Sequence, residues 1–167
     1  TTFRVMRVDT SINSGNSGGG LFDSNGRLIG IVNAKTSSSS IENISYAIPS
    51  KVAVGVAENV IRNDGTFDKR TLGVTLEATE SKAVYDEEAY LTSIIQKVSV
   101  SDVAAGGVSN GILSVGDEIK SITVKGKTTV VTRLFQVSDA LLYADAGSQV
   151  TLQIVRDGQE QTVTVTV

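Results

Sequence analysis

The 167-residue sequence contains no cysteine and no histidine, and only 5% of its residues are aromatic. The lack of cysteine excludes disulfides, which fits the cytosol and equally an exported bacterial protein that folds without them. No apolar run approaches the roughly 20 residues that span a bilayer. The net charge is −3 and no basic cluster is present, so nucleic acid is not an expected partner. Any catalytic motif must be weighed against the missing histidine, the most frequent general base.

The composition is that of a folded protein, with 40% hydrophobic and 20% charged residues. The length allows one ordinary domain or two small ones. The sequence starts at Thr1 without an initiator methionine or a signal peptide and opens directly in a strand-like run. We therefore expect it to be a piece of a longer protein, with any targeting segment in the missing part.

The first half is predicted to be mainly β and to end in one helix. Alternating apolar and basic residues predict a strand over 3–8, and Asn25-Gly26 between two apolar runs predicts a two-residue type I′ hairpin. A short strand is expected at 44–48, after an exposed serine-rich loop at 36–40. Over 49–65 the period becomes helical, and Gly65 fits the helix end. The apolar stripe of this helix comprises Val52, Ala53, Val56, Ala57, Val60 and Ile61.

The second half is predicted to contain about five strands and two helices, which suffices for one small core. Strands are expected at 72–76, 90–95 and 116–124, and Asp157-Gly158 predicts a hairpin between two terminal strands. A turn of helix is expected at 80–89 and a short helix at 101–107. A longer helix is expected at 137–147, with Ser138 as its cap and Gly147 at its end.

The segment GNSGGG, at 15–20, places Ser17 between glycines and fits the G-x-S-x-G pattern. The nucleophile elbow of α/β-hydrolases needs a helix directly after the serine. The glycines that follow Ser17 exclude it, because each costs a helix about 1 kcal/mol relative to alanine. The nucleophile loop of a trypsin-like barrel does need glycines, since two amides must turn toward the oxyanion and one such donor is worth roughly 3 kcal/mol. For the motif alone, a glycine-rich turn without chemistry stays open.

The surroundings of this loop resemble the HtrA (Do-type) family of serine proteases. The matching features occur in order: Asp9, Ile12-Asn13, the loop at 15–19, the Asn-Gly hairpin, 30–33, and 47–50 at the start of a helix. Digestive trypsin-like enzymes more usually carry aspartate where Asn16 stands, and the asparagine also points to this family. One departure is Gly20, where the family most often has proline or alanine. We expect it to loosen the loop slightly without removing a chemical group.

The resemblance implies that Ser17 is the nucleophile of peptide-bond hydrolysis. It implies that Gly15 and Ser17 supply the oxyanion-hole amides and that Asn16 positions the loop. The same resemblance places Asn33, Ala34 and Lys35 on the strand edge and loop that border the specificity pocket and pair with the substrate backbone. For Lys35, a solvated surface lysine is an equally good interpretation.

The resemblance also implies that the histidine base and its aspartate come from an N-terminal barrel, upstream of this sequence. We do not expect Asp9, Asp23 or Asp64 to belong to the triad, because they lie in the wrong part of the chain. Without triad members only oxyanion-hole and binding effects remain. The isolated chain is therefore expected to be inactive as a peptidase.

Residues 71–167 resemble a PDZ domain of the HtrA type. The motifs that carry this resemblance are TLGV at 71–74, VGDEIKSI at 115–122 and the Arg156-Asp157-Gly158 hairpin. The resemblance implies that Leu72, Gly73 and Val74 form a loop that binds a peptide carboxylate, while the peptide pairs with the following strand edge. It further implies that two helix residues face the groove, Val137 and Leu141. The alternative for 72–74 is a buried strand, and the alternative for Val137 and Leu141 is an ordinary helix core.

Together these features predict a mainly β protein. It consists of the C-terminal half of a trypsin-like double barrel with its closing helix (1–66), a linker (67–70) and a PDZ domain (71–167). The expected function is hydrolysis of misfolded proteins in quality control, with unfolded polypeptides or peptide C-termini as partners and no metal or cofactor. The family resemblance implies a bacterial cell-envelope or extracellular location, and it leaves room for a homotrimer and an N-terminal membrane anchor in the full-length protein. The alternative is a pseudoprotease that acts as a PDZ peptide-binding module.

Overall fold

The computed structural model describes residues 4–10, 12–13, 15–35 and 45–167, with only the backbone described at 34 and 35. The chain divides into two compact units, Thr1–Phe67 and Asp68–Val167. Both units consist mainly of antiparallel strands, which confirms the predicted mainly β class. The expected loop at 36–40 lies outside the described residues.

In the first unit the described residues form an open antiparallel sheet in the order β1-β4-β3-β2. Its strands are β1 Met6–Val8, β2 Gly20–Phe22, β3 Leu28–Lys35 and β4 Ser45–Pro49. The apolar side chains that are buried in the described part of this unit are Ile12, Val32 and Ala47. The strand predicted at 3–8 is confirmed as β1, but it begins only at Met6, since Arg4 and Val5 lie before it. The strand predicted at 44–48 is confirmed as β4, which extends to Pro49. Residues 3 and 44 lie outside the described part.

The hairpin between β2 and β3 is confirmed, but its turn is longer than predicted. The Asp23 amide donates to the Arg27 carbonyl and the Gly26 amide donates to the Asp23 carbonyl, each at 3.0 Å. Within this loop only Gly26 takes a positive φ, of 75°, so the predicted type I′ turn, which needs two such residues, is wrong. The Asp23 carboxylate accepts the amides of Arg27 and Asn25 and the Arg27 guanidinium. These bonds lower the pKa of Asp23, and the bond from the Arg27 amide has the largest effect.

The helix that follows β4 is confirmed as α1, Ser50–Arg62. Its buried residues are Gly55 and Asn59, and the predicted valine stripe is only half-buried beside them. Ile61, which was placed on the stripe, is 77% exposed, because it lies about 200° around the helix from Asn59. Gly65 closes the helix end as expected: it has a φ of 88° and donates its amide to a carbonyl of the last turn at 2.9 Å.

The second unit is built on one sheet in the order β10-β9-β7-β6-β5, with β8 paired to β7. Its elements are β5 Val74–Asp86, β6 Leu91–Val103, β7 Glu118–Val124, β8 Lys127–Val130, α2 Phe135–Leu141, β9 Gln149–Arg156 and β10 Gln159–Thr166. The largest fully buried apolar side chains of its core come from β6, β7, β9 and β10, and they are Val98, Val100, Ile119, Ile122, Val150, Leu152, Ile154 and Val165.

The largest difference from the prediction concerns residues 77–97, which we call the arm. Here β5 and β6, of 13 residues each, form a long hairpin around the turn 87–90, so the predicted turn of helix at 80–89 is wrong. Every residue from 77 to 94 is exposed, so no alternation of buried and exposed side chains marks these strands. The strand predicted at 90–95 is confirmed as the start of β6, apart from Tyr90, which lies in the turn. The Asp86 carboxylate accepts two amides of the turn, at 2.9 and 3.0 Å, and Tyr90 closes it with a φ of 52°.

The short helix predicted at 101–107 is also wrong. Strand β6 continues to Val103, and the chain then reverses in a turn closed by the Gly107 amide, which donates to the Ala104 carbonyl at 2.9 Å. The described residues of the second half therefore form six strands and one helix, where five strands and two helices were expected.

The predicted helix at 137–147 is confirmed as α2, but it begins earlier and ends at Leu141. Gln136 explains the early start, because its side-chain oxygen accepts the amides of Thr132 and Arg133, both at 2.7 Å. Ser138, the predicted cap, lies inside the helix. The terminal hairpin is confirmed at 157–158, where both residues have positive φ, of 52° and 78°, as a type I′ turn requires.

Candidate active site and peptide-binding edge

The glycine-rich loop at 15–19 is anchored to the sheet of the first unit. The Gly18 amide donates to the Val32 carbonyl at 2.8 Å, and the Val32 amide donates to the Gly19 carbonyl at 2.9 Å. Gly15 and Gly18 have φ values of 98° and 86°, in the region where a side chain is strained. Glycine is therefore required at these positions, because the loop must turn sharply while it stays hydrogen-bonded to β3.

Two exposed amides of this loop are candidates for donation to a ligand. In the described part of the chain, neither the Gly15 amide nor the Ser17 amide has a hydrogen-bond partner, and both residues are exposed. Between them, the Asn16 amide is taken up by the Asn13 carbonyl at 3.1 Å. Free amides on alternate residues beside an exposed serine are the donors that an oxyanion hole uses.

The hydroxyl of Ser17 donates to the carbonyl of Asn33 at 3.3 Å. Asn33 is available because it is the extra residue of a bulge: Val32 pairs with Ala47, and Ala34 already pairs with Tyr46. A backbone carbonyl cannot take up the proton, so this contact orients the hydroxyl without activating it.

The structure thus brings together Ser17 and Asn33, two of the predicted site residues. Ala34 and Lys35 continue β3 from this point, and their side chains lie outside the described part. At Gly20, the position that departs from the family pattern, a Cβ would lie 2.7 Å from the Phe22 ring. The ring of Phe22, which is 58% exposed, covers the space that a larger residue would occupy.

In the second unit the predicted carboxylate loop is tightly packed. Leu72 is 3% exposed and belongs to the core. Gly73 has a φ of 68°, and a Cβ there would lie 3.2 Å from the backbone of Gly107 and Val108. The Gly73 carbonyl accepts the Ala104 amide at 2.9 Å. A side chain at Gly73 would therefore disturb the packing of this loop.

The two predicted groove residues on the helix, Val137 and Leu141, are 2% and 4% exposed and belong to the core cluster. Both side chains therefore face the core rather than an open groove in this structure. They point inward because this face of α2 packs against β7 and the core. The sequence pattern could not separate these two faces, since a core stripe and a groove stripe have the same helical spacing.

The strand edge next to the carboxylate loop is open. Strand β5 starts at Val74, directly after the loop, and it is the last strand of the sheet in the described part of the chain. Val74 and Leu76 pack against the core from one face, which fixes the start of the strand. The outer edge can accept another strand, as peptide recognition by β-augmentation requires.

The loop before β7 is fastened by a buried ion pair that sequence reasoning missed, although it had selected both segments. Asp117 is 1% exposed, and its carboxylate accepts two guanidinium bonds from Arg156, at 2.7 and 2.6 Å. Burial alone would raise the pKa of Asp117. The bonds from Arg156 and from the Ser114 amide, together with the charge of Arg156, outweigh burial and lower it. Arg156 also donates to the Ile112 carbonyl at 2.9 Å.

The described ranges lack two kinds of feature. Residues 4–10, 12–13, 15–35 and 45–167 contain no helix that is both long and apolar enough to cross a bilayer. They also contain no group of three or more acidic, histidine or cysteine side chains that could hold a metal ion.

Comparison with known families and proteins separates the same two parts of the chain. Residues 2–56 match the Trypsin family, and residues 71–167 match the PDZ domain family. The chain is 30% identical over 168 residues to "Serine protease Do-like HtrA" of Bacillus subtilis (strain 168), covering 97% of this chain and 36% of that protein. It is 32% identical to "Probable periplasmic serine endoprotease DegP-like" of Halomonas elongata, covering 97% of this chain and 33% of that protein.

Solved structures agree with this result. The structure described as "HtrA-type protease AlgW with tripeptide" is similar with a TM-score of 0.65 and 29% identity, over 98% of this chain and 53% of that one. A serine endoprotease from Yersinia pestis is similar with a TM-score of 0.56 and 28% identity, over 97% and 50% of the two chains. This chain thus spans about a third of the length of the curated relatives. It has a PDZ domain and part of a trypsin-like protease domain, and it belongs to the HtrA (Do-type) family of serine proteases.

Proposed function

We propose that this chain is part of a serine endopeptidase in which Ser17 attacks the peptide carbonyl and the amides of Gly15 and Ser17 bind the resulting oxyanion. The observation that carries this proposal is the exposed Ser17 hydroxyl beside two amides that have no partner among the described residues, on a loop bonded to β3. Asn16 holds the loop through its bond to Asn13. Such a constellation serves acyl transfer through a covalent intermediate on the serine.

The reaction needs a base that takes the proton from Ser17. The 167 residues contain no histidine, and the hydroxyl now donates to a carbonyl, so the base has to come from residues outside this sequence. We expect a histidine oriented by an aspartate, as the relatives' family implies. Asn33 and the backbone at 34–35 are proposed to pair with the substrate once the hydroxyl has turned toward that base.

The PDZ domain is proposed to bind peptide C-termini. The carboxylate would be bound by backbone amides of the loop Leu72, Gly73 and Val74, and the peptide would add a strand to the open edge of β5. Two similar structures are described as an HtrA-type protease with a decapeptide and with a tripeptide, which supports a peptide as the ligand. The substrates are proposed to be misfolded proteins in the bacterial cell envelope, since several relatives are named as periplasmic.

A second candidate is a pseudoprotease that uses only the PDZ domain. The observation in its favour is the lack of histidine together with the bond from Ser17 to Asn33. The presence of Ser17 and of the exposed amides of Gly15 and Ser17 favours the enzyme, because a protein without catalysis does not require this arrangement.

Casein hydrolysis tests the proposal, with the protein purified from its natural source, its Ser17→Ala variant and the 167-residue chain. We expect cleavage by the natural protein, a loss of at least about 10³-fold in the variant, and none by the 167-residue chain. Ser17-dependent cleavage by the 167-residue chain would refute the proposal that the base lies outside this sequence. An unchanged rate in Ser17→Ala would refute the nucleophile.

A further inference from the structure

The arm extends the open edge of β5 well beyond the carboxylate loop. Strand β5 has 13 residues, which corresponds to roughly 40 Å at about 3.3 Å per residue. Only its first residues, Val74 and Leu76, pack on the core. From Glu80 to Asp86 the pairing with β6 runs without a register shift, so this part of the edge is a regular template for another strand.

The pairing pattern shows which groups the arm presents along that edge. The Gln96 amide donates to the Thr132 carbonyl at 2.7 Å, on the side of β6 away from β5. Gln96 and its partner Ser81 are therefore a non-hydrogen-bonded pair of the hairpin. By the two-residue period, Ser81, Ala83 and Tyr85 direct their amides and carbonyls outward. None of these backbone groups has a partner in the described part of the chain.

Chain direction determines which part of a bound peptide would reach these groups. A peptide whose carboxylate enters the loop at 72–74 must run antiparallel to β5, because the loop precedes the strand. Its last residues then lie beside Val74 to Ala78. Residues about seven to eleven positions before its end lie beside Ser81 to Tyr85, at one peptide residue per residue of β5.

The charge of the arm indicates the chemistry of that peptide segment. Residues 77–97 contain five acidic residues and two lysines, which gives −3, equal to the net charge of the whole chain. The acidic residues are Glu77, Glu80, Asp86, Glu87 and Glu88. Two copies of this edge would repel each other, whereas a segment with lysine or arginine would be attracted.

We propose that the arm is an extension of the peptide-binding edge, where β5 pairs with a basic segment that lies about seven to eleven residues upstream of the client's C-terminus. This inference rests on the proposed capture of peptide C-termini by the PDZ domain. Clients with such a segment are held along β5 from Val74 to Tyr85 instead of only from Val74 to Ala78. The arm thus selects among C-termini that end in the same residues.

Two peptides test this proposal on the 167-residue chain by fluorescence anisotropy. One is a pentapeptide with an apolar C-terminal residue, and the other is a dodecapeptide with the same five last residues and three upstream lysines. We expect the dodecapeptide to bind at least 10-fold more tightly, and we expect that gain to fall when serines replace the lysines or when salt rises from 50 to 500 mM. Equal affinities for the two peptides at low salt would overturn the proposal.

An edge variant separates strand addition from general charge attraction. Ala83→Pro removes one outward amide and leaves the β5–β6 bonds in place, since proline is tolerated on the open side of an edge strand. It should reduce dodecapeptide affinity to the pentapeptide level and leave the pentapeptide unchanged, while Ala83→Val, which keeps the amide, should retain the gain. If Ala83→Pro still binds the dodecapeptide as much more tightly than the pentapeptide as the wild type does, strand addition is contradicted. Protection of the amides of Ser81, Ala83 and Tyr85 from hydrogen exchange on binding gives a check without a variant.

Amidated peptides distinguish the two proposals from each other. Carboxylate capture predicts that the pentapeptide acid binds at least 10-fold more tightly than its amide. If the acid and the amide bind equally, the proposed capture of C-termini fails. If the acid is preferred but the dodecapeptide gains nothing, only the role of the arm fails. Self-association of the chain that Ala83→Pro abolishes would instead identify a second copy as the occupant of the edge and overturn the proposal.

Discussion

Asp117 is a carboxylate that the fold can bury only because Arg156 faces it. The two guanidinium bonds, at 2.7 and 2.6 Å, and the Ser114 amide satisfy the carboxylate at 1% exposure. Arg156 belongs to β9 and is 29% exposed, so the pair ties the loop before β7 to a neighbouring strand. A buried pair of this kind adds little net stability but becomes costly when one partner is removed.

We expect Asp117→Asn to lower the free energy of unfolding of the second unit by about 3 kcal/mol, because a guanidinium then lacks its counter-charge. Urea denaturation of the 167-residue chain measures the effect. Asp157→Asn is the matched control: Asp157 is exposed, and asparagine tolerates its left-handed conformation. The control should stay within about 0.5 kcal/mol of the wild type. Equal losses in the two variants would contradict the role of the pair.

The same pair predicts a dependence on pH. In the folded chain the pKa of Asp117 lies below its ordinary value of 3.8, so the unfolded state takes up the proton first as pH falls. The contribution of the pair is complete above this ordinary value and is lost as pH drops through the folded pKa. The stability difference between wild type and Asp117→Asn should therefore be constant from pH 7 to about 5 and shrink below about 4. A difference that grows in acid would reverse the sign and refute this account.

At the scale of elements, strands β3 and β4 approach closely because residue 30 is glycine. A Cβ at Gly30 would lie 2.9 Å from the Ile48 carbonyl oxygen and 3.0 Å from the end of the Met6 side chain. The carbonyl belongs to the paired strand and cannot move without breaking the ladder. The sheet that carries the Ser17 loop thus depends on a missing side chain.

Gly30→Ala should destabilise the first unit by about 1–3 kcal/mol, the usual cost of overpacking. Gly20→Ala is the matched control, because its Cβ would meet the ring of Phe22 and the end of the Leu28 side chain, and both of these exposed side chains can turn away. Tyrosine and amide signals of the first unit, followed by NMR during urea titration, report the loss. A Gly20→Ala variant that is destabilised as much as Gly30→Ala would argue against strand spacing as the cause.

The elements that the sequence predicted correctly are those with a local physical signal. Asp157-Gly158 has the left-handed preferences of a type I′ turn, and the helix over 50–62 has a half-buried face with a 3.6-residue period. The strand over 77–86 and the full length of the hairpin escaped prediction because both faces of the arm are exposed, so no burial pattern distinguishes strand from helix. The loop around Ser17 was predicted from the resemblance of its motif. Its bond to Asn33 depends on a bulge in β3 that no local signal reveals.

At the scale of the whole molecule, the two units differ in how much apolar surface they bury. The core cluster of the second unit contains sixteen buried apolar residues from 72 to 167. The described part of the first unit buries Ile12, Val32 and Ala47, while Phe22, Leu28 and Ile29 are exposed. Small cores give marginal stability, so the second unit should be the more stable part of the chain.

We expect two separate unfolding transitions for the 167-residue chain, with the amides of 6–62 exchanging at lower urea concentration than those of 98–165. Native-state hydrogen exchange measured residue by residue resolves the two. The fragment 68–167 should give the same exchange pattern as in the whole chain. One transition shared by both units would contradict the assignment of independent cores.

The most direct measurement of the central claim is labelling by a fluorophosphonate probe, which reacts only with an activated serine. The protein from its natural source is incubated with the probe, digested, and the label located by mass spectrometry. We expect one label, on Ser17, and no label in the isolated 167-residue chain, whose serine donates to the Asn33 carbonyl. A natural protein that stays unlabelled while trypsin in the same tube reacts would contradict the enzyme and identify a peptide-binding pseudoprotease.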